Sequence, residues 1–460
     1  MLKLRRMKKE YSHVEVLDMV RQHEMSSSRE LMLEAYYKNN NAINRATKAN
    51  GKANHKVAHP FAHQLVSTMV GYFASEPVQF DIENEEVKAQ LDDFLKYNDF
   101  DRVFTKVVTD SCVYGVGTMT TFIDQKGLVR FASVNPTELI VIVNNDVLED
   151  IHHVIRHWRC ESNDGEIVRY IEVYDSEKIR KFYLNDEEVF DEIVEEHFFG
   201  DVPFTLFYAN ADQMAIFERV IPLIDAYDLL ESETLNLVSD LADAILLIAG
   251  VELDDTMMSQ INQMRLLNVS DINENAVDVR YITKDAPTNE EAKQRLHDDI
   301  FSLAMIPNLN GKDFGEALSG TALKLRMASM EFLASVMEGF AKLGLRRLIE
   351  LWANVGALLG GTSTDEIIKN LSIRMTRNTV SNEAEQIQNA LQLSSLISQE
   401  SVLALLQAFI PDVEVELERL NTEKEENMAM FGSYSDDEFS HKEEEETWDT
   451  GSKNKDEDKE

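Results

Sequence analysis

The stretch NLNGKDFGEALSGTALKLRM, residues 308–327, has the composition of a phosphate site: glycines at 311, 315 and 320, Lys312 beside the first of them, and a helical pattern directly after. A loop that works on a nucleotide needs GxxxxGK followed by Ser or Thr, because the lysine reaches the terminal phosphates and the hydroxyl holds magnesium. Here Asp313 follows Lys312 and would repel a phosphate, and no glycine stands five positions before Gly311. A GxGxxG spacing is also missing, and the loop follows a helical pattern instead of a strand. The segment can touch a phosphate but has no means of reacting with one.

Other candidates for chemistry are weaker. His152, His153 and His157 lie on a strand-like segment, where neighbours point to opposite faces, so a solvated or core-edge role is expected. His297, Asp298 and Asp299 sit near Lys293 and Arg295 at ordinary helical charge-pairing distances. Cys112 and Cys160 form neither a CxxC nor a Cys/His ligand spacing, and two cysteines make no disulfide framework, which fits a reducing, intracellular compartment. No serine occupies a nucleophile elbow. Neither an enzyme nor a cofactor or metal site is expected.

Composition narrows the partners. The chain has 460 residues, 44% hydrophobic and 28% charged, and a formal charge of −38. A surface this negative repels DNA and anionic membranes at long range, which disfavours sequence-seeking DNA binding. The basic start MLKLRRMKKEYSH has no apolar core after it and reads as a frayed, solvated start, not a signal peptide. AILLIAGV, 244–251, is too short to span a bilayer.

The elements that must carry these residues follow from periodicity. Residues 12–45 read as two helices, the second opened by Ser27 with Glu30 at capping-box spacing. Val57, Phe61, Leu65, Val66, Met69 and Val70 share a helical face that Gly71 and Pro77 end, and helices near 84–97 and 99–113 follow. From 115 to 208 the pattern alternates and is β-rich. A helix over 213–245 carries a near-heptad stripe from Val220 to Ile245, with Pro222 beginning or kinking it. Short apolar runs over 246–287 precede a second helix that ends before Pro307. Residues 320–358 form the longest helical pattern, stopped by Gly360 and Gly361, with a possible bend at Gly339 or Gly344. LSIRMTRN reads as a strand, 383–420 as two helices, and the last 40 residues as an acidic tail with little to bury.

The order of parts, an α+β body, a helix, a small tip, a helix, a glycine-bearing loop and a long helix, resembles the portal proteins of tailed bacteriophages, in particular the siphophage-type portal family. The matching segments are VGYFASEPVQF (70–80), YGVGTMTTFID (114–124), ERVIPLIDAYDLLES (218–232), GEALSGTALKLRM (315–327), IRMTRNTVSNEAE (373–385) and FIPDVEVELERL (409–420). Ser75, Glu76 and Val380 depart from the usual pattern of glycine, a polar or basic residue, and proline at those places.

The resemblance implies an α+β portal fold. It assigns 1–210 to the wing, 213–245 and 288–306 to the two stem helices, 246–287 to a β-containing clip and 307–319 to the tunnel loop. It assigns 320–382 to the long tunnel helix and returning strand, 383–420 to a helical crown and 421–460 to the tail. It further implies a ring of about twelve subunits at a capsid vertex of the virion, assembled in the host cytoplasm, through which double-stranded DNA is packaged and later ejected. A terminase large subunit would supply the ATPase, and major capsid, scaffolding and head-completion or adaptor proteins would be the other partners. The DNA-facing residues would be Asn308, Asn310, Gly311, Lys312, Asp313, Phe314, Gly315 and Lys324. Arg265 and Arg280 would belong to the docking surface of the clip. A capsid-associated scaffold or adaptor without a channel is the second reading, and a metal-dependent nuclease the third.

Overall fold

The computed structural model describes residues 1–6, 8–47, 54–161, 165–185, 188–242, 245–249, 266–269, 278–282, 289–309, 320–378, 383–394, 396–406, 413 and 415–424. It divides into two units, 1–379 and 380–460.

The first unit begins as a strand, β1 (Leu2–Arg5), and not as a solvated start. Leu2 and Leu4 alternate with Lys3 and Arg5, so one face of the strand can pack while the other stays polar, and β1 lies parallel to β5 (Leu139–Val143). The helix α1 (His13–Ser26) opens with a capping box, but its residues are Ser12 and Glu15. The expected box at Ser27 and Glu30 does not form. Only Ser27 separates α1 from α2 (Ser28–Tyr37), its backbone is near-helical at φ −76°, and its hydroxyl donates to the Glu24 carbonyl. An N-cap needs an extended residue at that point.

Next come α3 (Phe61–Phe73), α4 (Glu85–Tyr97) and α5 (Phe100–Tyr114). Val57 precedes α3 instead of lying on it, and Gly71 is inside that helix with open space around it. The helix α5 ends at Gly115, whose φ of +86° is the left-handed C-cap that glycine takes without strain. Two residues on, Gly117 lies in β3 against the helix that precedes it: a Cβ there would stand 2.0 Å from the Val107 carbonyl oxygen.

The β-rich region forms two sheets. Strands β10 (Phe204–Tyr208), β3 (Val116–Ile123) and β4 (Val129–Val134) make an antiparallel three-stranded sheet covered by α5. The second sheet has six strands in the order β1-β5-β6-β7-β8-β9, with β6 Ile151–Glu161, β7 Ile167–Tyr174, β8 Lys178–Asn185 and β9 Glu188–Glu196. All pairs after β1-β5 are antiparallel. Tyr11, Val16, Met19 and Val20 pack on one face against Ile140, Ile142, Ile155, Ile171 and Phe182. The other face buries Val141, Val143, Val154 and Tyr174 against Phe204 of the smaller sheet.

The main core joins α2, α3, α4 and α5 to three later helices: α6 (Ile221–Ala242), α7 (Glu290–Leu303) and α8 (Gly320–Leu358). Between α6 and α7 lies a three-stranded sheet ordered β12-β11-β13, with β11 Ile245–Ala249, β12 Leu266–Val269 and β13 Asp278–Ile282. Along α8, Met327, Met330, Met337, Leu345, Leu348 and Ile349 are buried. Gly344 is a close-approach residue: a Cβ there would lie 2.6 Å from the Phe207 ring. After Gly360, at φ +90°, a short helix α9 (Thr364–Asn370), absent from the expectation, leads to β14 (Ser372–Arg374), which pairs with β2 (Gln79–Asp81).

The second unit contains α10 (Glu383–Leu393) and α11 (Gln399–Leu405), with Ala390 and Leu403 buried. A further helical stretch covers 415–424, so the first residues expected as tail continue a helix.

Candidate functional site

The glycine-bearing segment connects two helices, α7 and α8. On its N-terminal side α7 packs along α6. Lys293, 9% exposed along its side chain, bridges Glu231 at 2.6 Å and Glu290 at 3.1 Å. His297 does more than pair charges: its ring sits in an aromatic cluster with Phe61, Tyr227 and Phe301.

The end of α7 is a two-bond helix stop in which Ile306 N–H donates to the Phe301 carbonyl and Met305 N–H to that of Ser302. The left-handed position that glycine normally fills is held by Met305 at φ +59°. A side chain there costs about 1–2 kcal/mol, and burial of Ile306 (1% exposed) in the main core offsets it. Met305→Gly is expected to stabilise the protein by up to about 1 kcal/mol, read as a rise in Tm at fixed protein concentration.

Pro307, Asn308 and Leu309 leave this stop, and α8 begins at Gly320. Asn310, Gly311, Lys312, Asp313, Phe314 and Gly315 lie outside the described residues. Asn308 and Lys324 flank that segment, Lys324 exposed one turn into α8. Leu325, Phe332, Val336 and Leu343 are 77, 65, 51 and 66% exposed. Their spacing of 7, 4 and 7 places them in one apolar stripe along α8. Arg280 is on β13, opposite Leu247 of β11. Arg265 lies outside the described residues. The structure therefore places Asn308 and Lys324 on the two sides of the segment along the chain and sets Arg280 on a separate small sheet.

Sequence reasoning missed two polar arrays, one buried and one half-buried. On α6, Asp228, Ser232 and Asn236 are 0, 1 and 2% exposed and accept hydrogen bonds from the backbone N–H groups of His59 (2.9 Å), Val57 (3.0 Å) and His55 (2.6 Å). Four residues of helix rise about 6 Å and two of extended chain about 6.6 Å, so the two rows match rung for rung. The signal was present as the i, i+4, i+8 polar column inside an apolar helix. On α8, Glu331 and Glu338 hold Arg377 at 3.4 and 2.5 Å, and its guanidinium lies 5.0 Å from the centre of the Phe73 ring. Tyr72 donates to Glu331 at 2.5 Å.

The histidines form pairs instead of a metal cluster. Among the described residues no group of three His, Cys, Asp or Glu is placed to hold a metal. His23 of α1 and His157 of β6 share a hydrogen bond of 2.7 Å between Nδ1 and Nε2. His152 and His153 stack at 4.5 Å, contrary to the expectation for strand neighbours. The pairing shifts register here, Ile142 facing His153 and Val143 facing Ile151, so His152 is the extra residue of a β-bulge and its alternation is broken.

Burial pushes His23 down to about 3 and His153 and His157 down to about 4. An unfolded histidine titrates near about 6.5, so below that value the unfolded chain binds more protons. The stability contributed by these neutral rings is full above about pH 6.5, falls as pH drops below that value with a limiting slope of about 1.4 kcal/mol per pH unit per proton, and is wholly lost once pH has passed about 4 for His153 and His157 and about 3 for His23. Tm is expected to fall between pH 7 and 5, and less steeply in the double variant His23→Gln, His157→Gln.

A family model described as "Phage portal protein, SPP1 Gp6-like" matches residues 18–430. The chain belongs to this family. The portal protein of Bacillus phage SPP1 is 24% identical over 390 residues, covering 80% of this chain and 76% of the relative. A chain from the neck of an empty GTA particle, computed with C6 symmetry, overlaps 75% of this chain and 90% of its own length at 12% identity and a TM-score of 0.42. The family is a structural one, and the mixture of helices and strands agrees with an α+β portal-like fold. Among the described residues no helix is long and apolar enough to cross a membrane.

Proposed function

We propose that about twelve copies of this chain close into a ring at one capsid vertex, as a virion component through which double-stranded DNA is packaged and later ejected. The observation that carries this reading is the family match over residues 18–430. The segment 307–319, between the α7 stop and the start of α8, lines the narrowest part, with Asn308, Asn310, Gly311, Lys312, Asp313, Phe314, Gly315 and Lys324 facing the duplex. Its glycines let it move as DNA passes. The α6–α7 pair is the stem, 246–287 the clip, 383–420 the crown, and Arg265 and Arg280 belong to the clip surface that meets the terminase large subunit or a head-completion protein. Major capsid and scaffolding proteins surround the wing.

The charge gains a mechanism in this reading. Each lysine or arginine clamped on a phosphate adds a salt-sensitive grip, which an acidic bore avoids. With −38 on each chain, twelve copies carry roughly −450 formally, screened beyond about 10 Å, so the repulsion acts mainly at the constriction.

Symmetry-resolved electron microscopy of the purified protein tests the proposal. An annulus with a central, largely acidic hole is expected. A protein that never closes into an annulus, even with procapsid components, or a broadly basic inner wall, overturns it.

A further inference from the structure

The six-stranded sheet has two open ends of opposite charge. At one end is β1, inside a nine-residue stretch with five basic residues: Lys3, Arg5, Arg6, Lys8 and Lys9. At the other is β9, whose nine residues include five acids and no base: Glu188, Asp191, Glu192, Glu195 and Glu196. In a chain of net charge −38 this basic concentration stands apart. We infer that β9 of one subunit pairs edge to edge with β1 of the next, so that a second copy of this chain extends the sheet across each subunit boundary.

Three features of the sheet support this. An edge strand presents a row of backbone N–H and C=O groups to any partner that can pair with them. Among the described residues, apart from Arg6 N–H to Val143 and His197 N–H to Glu177 at the two strand ends, the backbone bonds of these edges go to β5 and β8. The outer edge of β9 also leaves Ile193 54% and Val194 53% exposed on opposite faces of the strand, as a half-buried interior strand would before its neighbour arrives. Finally, β1 and β9 are five strand spacings apart, about 24 Å, too far to pair within one chain.

Direction fits closure. From β5 to β9 the sheet makes four antiparallel steps, so β9 runs the same way as β5 and therefore as β1. Rotation about an axis along the strands sets the next β1 beside β9 as a parallel pair. Two different surfaces meeting head to tail generate rings when the rotation closes. Some of the charge is already matched inside the subunit: Glu149 bridges Lys3 and Arg5, Lys8 bridges Glu15, and Glu195 meets Lys181. The remaining excess steers the edges together and forbids β1 meeting β1 or β9 meeting β9.

The inference rests on the ring reading, and the test separates the two. In a Cys160→Ser background, which removes the exposed thiol and leaves buried Cys112, the full chain carries Arg5→Cys and Glu195→Cys. Treatment with a short bismaleimide is expected to give a denaturing-gel ladder climbing to the full ring, while each single variant stays at monomer. Rings seen by microscopy without a ladder overturn the edge pairing and leave the ring intact; absence of rings in the unmodified protein overturns both. As a second arm, Arg6→Glu with Lys9→Glu is expected to lower the assembled fraction about tenfold, equivalent to about 1.4 kcal/mol. Adding Glu195→Lys with Glu196→Lys should restore it. Failure of the second pair to restore assembly in a variant that keeps its circular dichroism overturns the pairing.

Discussion

Gly117→Ala lowers Tm by about 5 °C or more, the equivalent of about 3 kcal/mol. The reason is spatial and not conformational, since Gly117 has an ordinary strand backbone. Its missing side chain lets α5 lie directly on β3, and an added Cβ would meet the Val107 carbonyl oxygen at 2.0 Å and two further Val107 atoms at 2.9 Å. Two of those three atoms are backbone and cannot rotate away, so the helix must lift from the sheet and loosen Val107, Val108 and Met119 in the main core. Gly339→Ala is the control. Nothing lies within 4 Å of Gly339, which sits within α8, and there alanine is expected to stabilise by about 0.5–1 kcal/mol. Thermal unfolding of both variants at one protein concentration decides the matter; equal effects at the two sites would contradict the close helix–sheet approach.

Asp228→Ala costs about 3–5 kcal/mol, because it strands several donors at once. The carboxylate is wholly buried and accepts from His59 N–H and His59 Nδ1, each at 2.9 Å, and from Asn41 Nδ2 at 2.6 Å. Asp228→Asn keeps an acceptor oxygen and is expected to lose about half as much. Ser232→Ala, which removes the single bond to Val57, should cost about 1 kcal/mol. Besides Tm, limited proteolysis reports the effect: release of the extended segment 54–60 from α6 should bring cleavage there before global unfolding. Asp228→Ala without faster cutting between residues 54 and 60 would mean that the ladder does not hold that segment.

Local signals explain what was readable from the sequence alone. The long helix runs from Gly320 to Leu358 as its periodicity implied, because its buried methionines and leucines recur at helical spacing and Gly360 ends it in the left-handed region. The change from helical to alternating pattern at 115 falls where Gly115 ends α5 in the left-handed region. The N-terminal strand was hidden by distance, as LKLR has no strand partner until Ile140. The bulge that stacks His152 on His153 depends on a register shift against another strand, and strand alternation alone predicts the reverse. The polar column on α6 lies off the near-heptad stripe that the apolar spacing follows, and Val238, on that stripe, is 52% exposed. Of the site, Asn308 and Lys324 are placed at the two flanks of the glycine-bearing segment and Arg280 on its small sheet.

The parallel pairing of β1 with β5 also governs the order in which the protein can fold on the ribosome. Residues 2–5 have no strand to join until 140–143 have been made, and at about 5–20 residues per second that wait is roughly 10–30 s. Throughout it a short, positively charged segment waits without its strand partner while the helices that follow it are made. Nascent-chain folding should therefore show the neighbouring helices acquiring protease resistance well before the first five residues do.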